Sequence, residues 1–215
     1  GDVQAPASAG GPGATTVAGT MICAAMAGIP VLATGGIGGV HRGGGGSLDI
    51  SADLRELGRT PVAVVCSGAK TILDLPKTLE VLETEGVPVI GFGTTEFHGF
   101  YTQDTGLELE QTVASPVEAA GAIAAQRRLG LSAGLVIANP TPSASAIDGK
   151  ELESWIEAAL ADARLDGIKG KAVTPYLLSR LFEISGGRTL EVNKALLVAN
   201  ARLGAEIAVA LAQAG

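Results

Sequence analysis

Short apolar runs alternate with helical stretches along this chain, and that alternation restricts its fold more than any other feature. The runs are "IPVLAT" (29–34), "PVAVVCSG" (61–68), "VPVIGF" (87–92) and "AGLVIAN" (133–139). Each is too short for a helix and ends in a turn, so each reads as a buried strand. Between and around them lie helical stretches. "ATTVAGTMICAAMAG" (14–28) closes at Gly28, and "SADLRELG" (51–58) is short. "AKTILDLPKTLEVLETEG" (69–86) is interrupted at Pro76, and "PVEAAGAIAAQRRLG" (116–130) starts at Pro116. Residues 93–114 read as a polar loop, and helices follow around 149–164, 174–185 and 189–213. This pattern predicts an α/β fold, a three-layer α/β/α sandwich with a largely parallel central sheet and a helical C-terminal third. Residues 1–13 read as a small-residue lead-in and 14–215 as one domain. In such sheets ligands sit beyond the carboxyl ends of the strands. "TGGIGG", "SGAK", "GFGTTE" and "ANPTP" all follow predicted strands and could converge there.

Composition narrows the partners. Hydrophobic residues make up 47% and aromatic residues 3%, so the core must be built from Ala, Val, Leu and Ile. A net charge of −7 argues against a nucleic-acid backbone or an anionic membrane as the main partner, while a small phosphorylated ligand remains compatible. Cys23 and Cys66 lie in apolar runs and are expected to be buried, reduced thiols, which fits an intracellular location. The uncharged stretch 14–33 contains Gly19, Gly28 and Pro30, without an aromatic belt or flanking cations, so a buried helix and buried strand are expected there rather than a membrane span. The chain begins with Gly rather than Met, so its natural start is expected to be missing.

The polar residues with chemical potential cluster in and after "TGGIGGVHRGGGGSLDISADL" (34–54). Its glycines suit a backbone that approaches a ligand closely, and Gly43–Gly46 also suit a plain linker. The spacing is not that of a dinucleotide fingerprint, because His41 stands where the third glycine belongs, and no phosphate-loop motif occurs. Lys70 follows a strand and tight turn. It is either a nucleophilic amine made neutral by burial or a surface lysine paired with Asp74. Asp49, Ser51 and Asp53 alternate and would point one way if extended, toward a hard cation, a phosphate or a sugar. Asp53 could equally cap a helix, with Glu56 completing a capping box. Arg42 could pair with phosphate or with a local carboxylate. His41 is a general acid–base or a hydrogen-bonded loop residue. Asn193 is a polar residue on a helix face or a contact to a base edge. His98 has no partner visible in the sequence and reads as a structural or a surface residue.

Taken in order and with their spacing, "GATTVAGTMICAAMAGIPVLATGGIGGVHRG", "DISADLREL", "VVCSGAKTILDLPKTLEVLETEGVPVIGF", "ANPTP" and "GKAVTPYLLSRLFEISGG" resemble the pseudouridine-5′-phosphate glycosidases, the indigoidine synthase A-like family. The resemblance implies reversible cleavage of the C–C glycosidic bond of pseudouridine 5′-phosphate to uracil and ribose 5-phosphate through a lysine imine. It also implies a homotrimer in the cytoplasm and a divalent cation, commonly Mn²⁺. Carried over by position, the nucleophile falls on Lys70 and the metal aspartate on Asp49. Ser51, Ala52 and Asp53 become a substrate-binding run, with proton handling also assigned to Asp53. Thr16 and Val17 supply a backbone contact, Asn193 a contact to the base and His41 a site histidine; Arg42, not carried over by position, is expected as a substrate contact through its phosphate option. The family carries a further N-terminal segment with a glutamate proton donor and a substrate-binding lysine, neither matched here. Relatives also differ at Gly44–Gly46 and at Ala172. Slow turnover by this chain alone is therefore expected. The alternatives are a non-catalytic phosphosugar- or nucleotide-binding remnant and another Schiff-base lyase acting on a sugar phosphate.

Overall fold

The computed structural model describes residues 15–42 and 49–214. The predicted lead-in and the run Gly43–Gly46 lie outside the described residues. In chain order the elements are α1 (Val17–Met26), β1 (Val31–Ala33), β2 (Val40–His41), α2 (Ala52–Leu57), β3 (Ala63–Cys66), β4 (Leu73–Asp74), α3 (Leu75–Thr84), β5 (Val89–Phe92), β6 (Gln111–Val113), α4 (Pro116–Arg128), β7 (Leu135–Ala138), α5 (Gly149–Leu165), a 3₁₀ turn (Gly170–Ala172), α6 (Val173–Ile184) and α7 (Arg188–Ala214).

Five strands form one sheet in the order β1-β3-β7-β5-β6, and every pairing in it is parallel. β7 comes last in the chain yet lies between β3 and β5. All four residues of β3 and of β7 are buried, as expected of strands covered on both faces. Alternation decides which layer each residue meets. Ala63, Val65, Leu135 and Ile137 pack with Ala119, Ala120 and Ile123 of α4 and with Leu203 and Ile207 of α7. Val64, Cys66, Val136 and Ala138 face the other way, into a cluster with Met21, Leu54, Leu57 and Leu82 from α1, α2 and α3. The three-layer sandwich expected from the sequence is thus present. α7 has the length and apolar content to cross a bilayer. In the fold its buried stripe, Val192, Leu196, Asn200, Leu203 and Ile207, lies against the sheet and its neighbours.

Several expectations change. Pro76 does not interrupt a helix. Asp74 caps α3 by accepting the Lys77 N–H, and Pro76 sits in the first turn, where its missing N–H costs nothing. The stretch before it is a turn and β4, which pairs antiparallel with β2. The polar stretch 93–114 contains β6, a fifth strand too short to read from three residues. That stretch also buries Phe97, His98, Phe100 and Tyr101. α1 is only half-buried: Ala18, Met21 and Ala24 face inward, so Cys23 falls on the outer side and is exposed. Cys66 is fully buried, which pushes its thiol pKa up to about 12.

Candidate functional site

The site grows from the carboxyl ends of β1 and β3. The segment Gly35–Val40 is buried along its whole length. Ile37 donates its N–H to the Gly68 carbonyl, and Lys70 donates its N–H to the Ile37 carbonyl, so the Lys70 turn is laced to the glycine segment by its own backbone. Farther on, His41 N–H donates to the Asp49 carbonyl and Ser51 N–H to the Gly39 carbonyl, while Ile50 bridges Val40. These bonds bring His41, Asp49, Ser51 and Asp53 alongside the turn that carries Lys70.

Asp53 fastens the third piece. Its Oδ1 accepts the Ala18 N–H at 2.8 Å and its Oδ2 the Gly38 N–H at 2.9 Å, and the residue is 4% exposed. It therefore ties the start of α1, with Thr16 and Val17, to the glycine segment. It is not the helix cap. Ser51 caps α2 by accepting the Asp53 N–H, Ala52 opens that helix, and Glu56 pairs with Arg59 and Thr60 instead of completing a box. Burial would raise the Glu56 pKa, but those partners hold it below the usual glutamate value.

The glycines here make room for the protein itself. A Cβ on Gly36 would lie 2.5 Å from the Phe100 ring, one on Gly38 2.2 Å from Ser51 Oγ, and one on Gly39 2.3 Å from Thr78 Oγ1. Gly68 has φ +69°, and a Cβ there would lie 1.8 Å from the His98 carbonyl oxygen. Phe100, against Gly35 and Gly36, itself adopts φ 54°, rare for a residue with a side chain.

The cations differ in what they touch. Lys70 is half-buried, and among the described residues its ammonium makes no ion pair or hydrogen bond. The alternative pairing with Asp74 is not made, because Asp74 binds Lys77 Nζ at 2.6 Å. Arg42 takes the local-carboxylate option: it forms a two-pronged pair with Glu153 of α5 and donates to the Thr71 carbonyl at 3.1 Å. The hydrogen bond to Glu153 raises the Arg42 pKa, and the same bond lowers that of Glu153. This corner borders a cleft of about 370 Å³ lined also by Leu73, Thr102 and Asp104. Asn193 is half-buried on α7. Of the two readings open for His98, the structural one holds: its ring nitrogens contact the Gln103 carbonyl at 3.2 Å and Thr94 Oγ1 at 3.0 Å, and burial lowers its pKa.

Matches to known proteins follow this arrangement. The family model described as "Indigoidine synthase A like protein" matches residues 1–210. The chain belongs to the indigoidine synthase A-like family. A protein of Methylobacterium nodulans named pseudouridine-5′-phosphate glycosidase is 55% identical over 98% of this chain, which spans 62% of that relative's length. A crystal structure of the prealnumycin C-glycosynthase AlnA in complex with ribulose 5-phosphate superimposes with a TM-score of 0.93 at 39% identity, covering 99% of this chain and 70% of the other. An indigoidine synthase A-like protein from Thermotoga maritima gives a TM-score of 0.84 at 38% identity, over 92% of this chain and 64% of the other.

For this family member the donor set around Asp49 bears on a divalent cation. Asp49 is exposed, and among the described residues no three His, Cys, Asp or Glu side chains gather as metal ligands. One carboxylate fits a largely hydrated Mg²⁺- or Mn²⁺-type ion, which keeps most of its coordination as water. Sequence reasoning gave no role to Asn200, Asn139 or Ser67. The available signal was a lone polar residue inside the apolar stripe of α7.

Proposed function

We propose that this chain carries the Lys70-centred site of a pseudouridine-5′-phosphate glycosidase and cleaves the C1′–C5 bond reversibly to uracil and ribose 5-phosphate. The observation that carries this reading is Lys70 itself: an amine on a backbone-fixed turn at a strand end, with no partner among the described residues, laced to the segment bearing His41, Asp49, Ser51 and Asp53. The relatives' shared name and the ribulose 5-phosphate in the AlnA structure support a phosphosugar ligand.

The bond to break has carbon on both sides, so protonating a leaving oxygen on the base does not help. In the proposed sequence Lys70 Nζ forms a bond to C1′ while the C1′–O4′ bond breaks, and the proton that Nζ gives up on bonding passes to O4′. Uracil C5 then takes a proton as the C1′–C5 pair leaves with the base and the Lys70 nitrogen forms a C=N bond. Water adds to that imine, releasing ribose 5-phosphate and the free amine. Asp53 keeps its clamp throughout, since each carboxylate oxygen has a second lone pair with which it can handle a proton near O4′. His41 serves as a further acid–base group. Ser51, Ala52 and the Thr16–Val17 backbone bound the sugar phosphate, and Asn193 meets the base, while Arg42, committed to Glu153, braces the neighbouring corner. A divalent cation at Asp49 would supply positive charge and ordered water. The same reading places the protein in the cytoplasm as a homotrimer.

The test is reductive trapping. Incubation with ribose 5-phosphate and cyanoborohydride should give a covalent adduct that peptide mass mapping places on Lys70, and Lys70→Met should abolish it. Adducts scattered over surface lysines would overturn the assignment. Ribose 5-phosphate binding without any adduct would favour the non-catalytic alternative.

A further inference from the structure

We propose that Asn200, far from Lys70 in sequence, is a positioning residue that holds the Lys70 turn in register with the glycine segment. Asn200 is fully buried in the middle of α7. Its Nδ2 donates to the Thr34 carbonyl at 2.8 Å, with longer contacts to Ser67 Oγ at 3.2 Å and the Gly35 carbonyl at 3.4 Å. Its Oδ1 accepts from Asn139 Nδ2 at 2.9 Å and lies 3.4 Å from Ser67 Oγ. One amide thus binds the first turn residues after β1, β3 and β7. A buried primary amide facing two carbonyls and a second amide has one orientation that satisfies them all, so the helix register is specified as well as stabilised.

The geometry also sets where α7 points. Gly204 packs on Ala33 and Val65 within the strands, Asn200 meets the strand ends, and Leu196 touches Gly35 just past β1. The helix therefore runs antiparallel to β1 and β3, and its earlier residues project past their carboxyl ends. Asn193, seven residues before Asn200, lies roughly 10 Å farther out along the axis at 1.5 Å per residue. Fixing Asn200 fixes both the turn that leads to Lys70 and the distance from that turn to Asn193. Without this amide the Thr34 and Gly35 carbonyls, Ser67 and Asn139 would lose a shared partner in a water-poor layer, and the turns could shift independently.

The functional half of this inference rests on the imine chemistry proposed for Lys70, so the test has two arms. In Asn200→Leu and the milder Asn200→Ser, amide hydrogen exchange at Ile37 and Lys70 should speed up at least tenfold, while Val64 in the sheet changes less than threefold. In the same variants the rate of trapping ribose 5-phosphate on Lys70 at saturating sugar should fall at least tenfold, with the half-saturating concentration moving less than threefold. Thr189→Val serves as control, since Thr189 is also buried on α7 but, among the described residues, its side chain bonds within the α6–α7 turn through Ser185. It should change neither readout. Unchanged exchange at Ile37 and Lys70 in a folded Asn200 variant overturns the proposal. So does a trapping loss matched by Thr189→Val. If the wild-type chain forms no adduct, the imine reading fails by itself, and the exchange arm still decides whether Asn200 fixes the turn.

Discussion

Two neighbouring cations, Lys70 and Arg42, are treated in opposite ways. Both lie beside the glycine segment. Arg42 is spent: Glu153 takes both prongs of its guanidinium and the Thr71 carbonyl takes another donor. Among the described residues the Lys70 side-chain nitrogen has no partner, while its main chain is bonded to Ile37. An acid stands four residues away at Asp74, but capping α3 turns that carboxylate toward Lys77. Keeping an amine available thus depends on where nearby acids are directed, and the helix cap does the directing.

If the contrast rests on a rigid Lys70 turn, damage to that turn should have the largest effect. Gly68→Ala puts a methyl into the His98 carbonyl at a positive φ, and should cost roughly 2–4 kcal/mol in urea unfolding together with loss of Lys70 trapping. Asp53→Asn comes next. Its amide must turn an N–H toward the Ala18 or the Gly38 N–H, costing about 1–3 kcal/mol by the same measurement. His98, which braces Gly68, gives a pH signature. Burial lowers its pKa in the folded state, so the unfolded chain takes up the proton first as pH drops. Stability present above the ordinary histidine value of about 6.5 should fall as pH goes below it. His98→Gln should flatten thermal unfolding across that window. The smallest effect belongs to the Arg42 corner. Glu153 is partly exposed, so Glu153→Gln should cost at most about 1 kcal/mol at pH 7. Its lowered pKa makes the pair's contribution complete above the ordinary glutamate value and lost as pH falls through the folded one, so variant and wild type should converge in acid. A Glu153→Gln loss as large as that of Gly68→Ala would erase the distinction between the two cations.

Much of this fold was legible because strand and helix periods are local. The four predicted strands appear with ends shifted by at most two residues, and α5, α6 and α7 lie within one residue of expectation. β6 was missed because three mostly exposed residues on a sheet edge carry no apolar alternation. Within the site, Lys70, His41, Asp49, Ser51 and Asp53 could be picked out because they are polar exceptions in glycine-rich or apolar surroundings. Their partners could not. Whether Arg42 meets Glu153 across 111 residues, or Asn200 meets Thr34 across 166, depends on tertiary geometry. The glycines carry the same limit: the sequence records where a side chain is forbidden, and only the fold shows that Phe100, Ser51 and Thr78 stand where a Cβ on Gly36, Gly38 or Gly39 would go.

The position of β7 has a kinetic consequence. Its four residues pair with β3 on one side and β5 on the other, yet they are made after both. Between the end of β5 at Phe92 and the start of β7 at Leu135 the ribosome must add the long bracing segment, β6 and α4. At roughly 5–20 residues per second that takes on the order of 2–9 seconds. Throughout that interval the nascent chain has two apolar strands that cannot yet reach their common partner, and unpaired strand edges are the part of a sheet most ready to pair with another chain. Because the centre of the sheet closes last, cooperative folding waits for β7, and the stretch from β1 through β5 is the one most in need of protection from aggregation during synthesis.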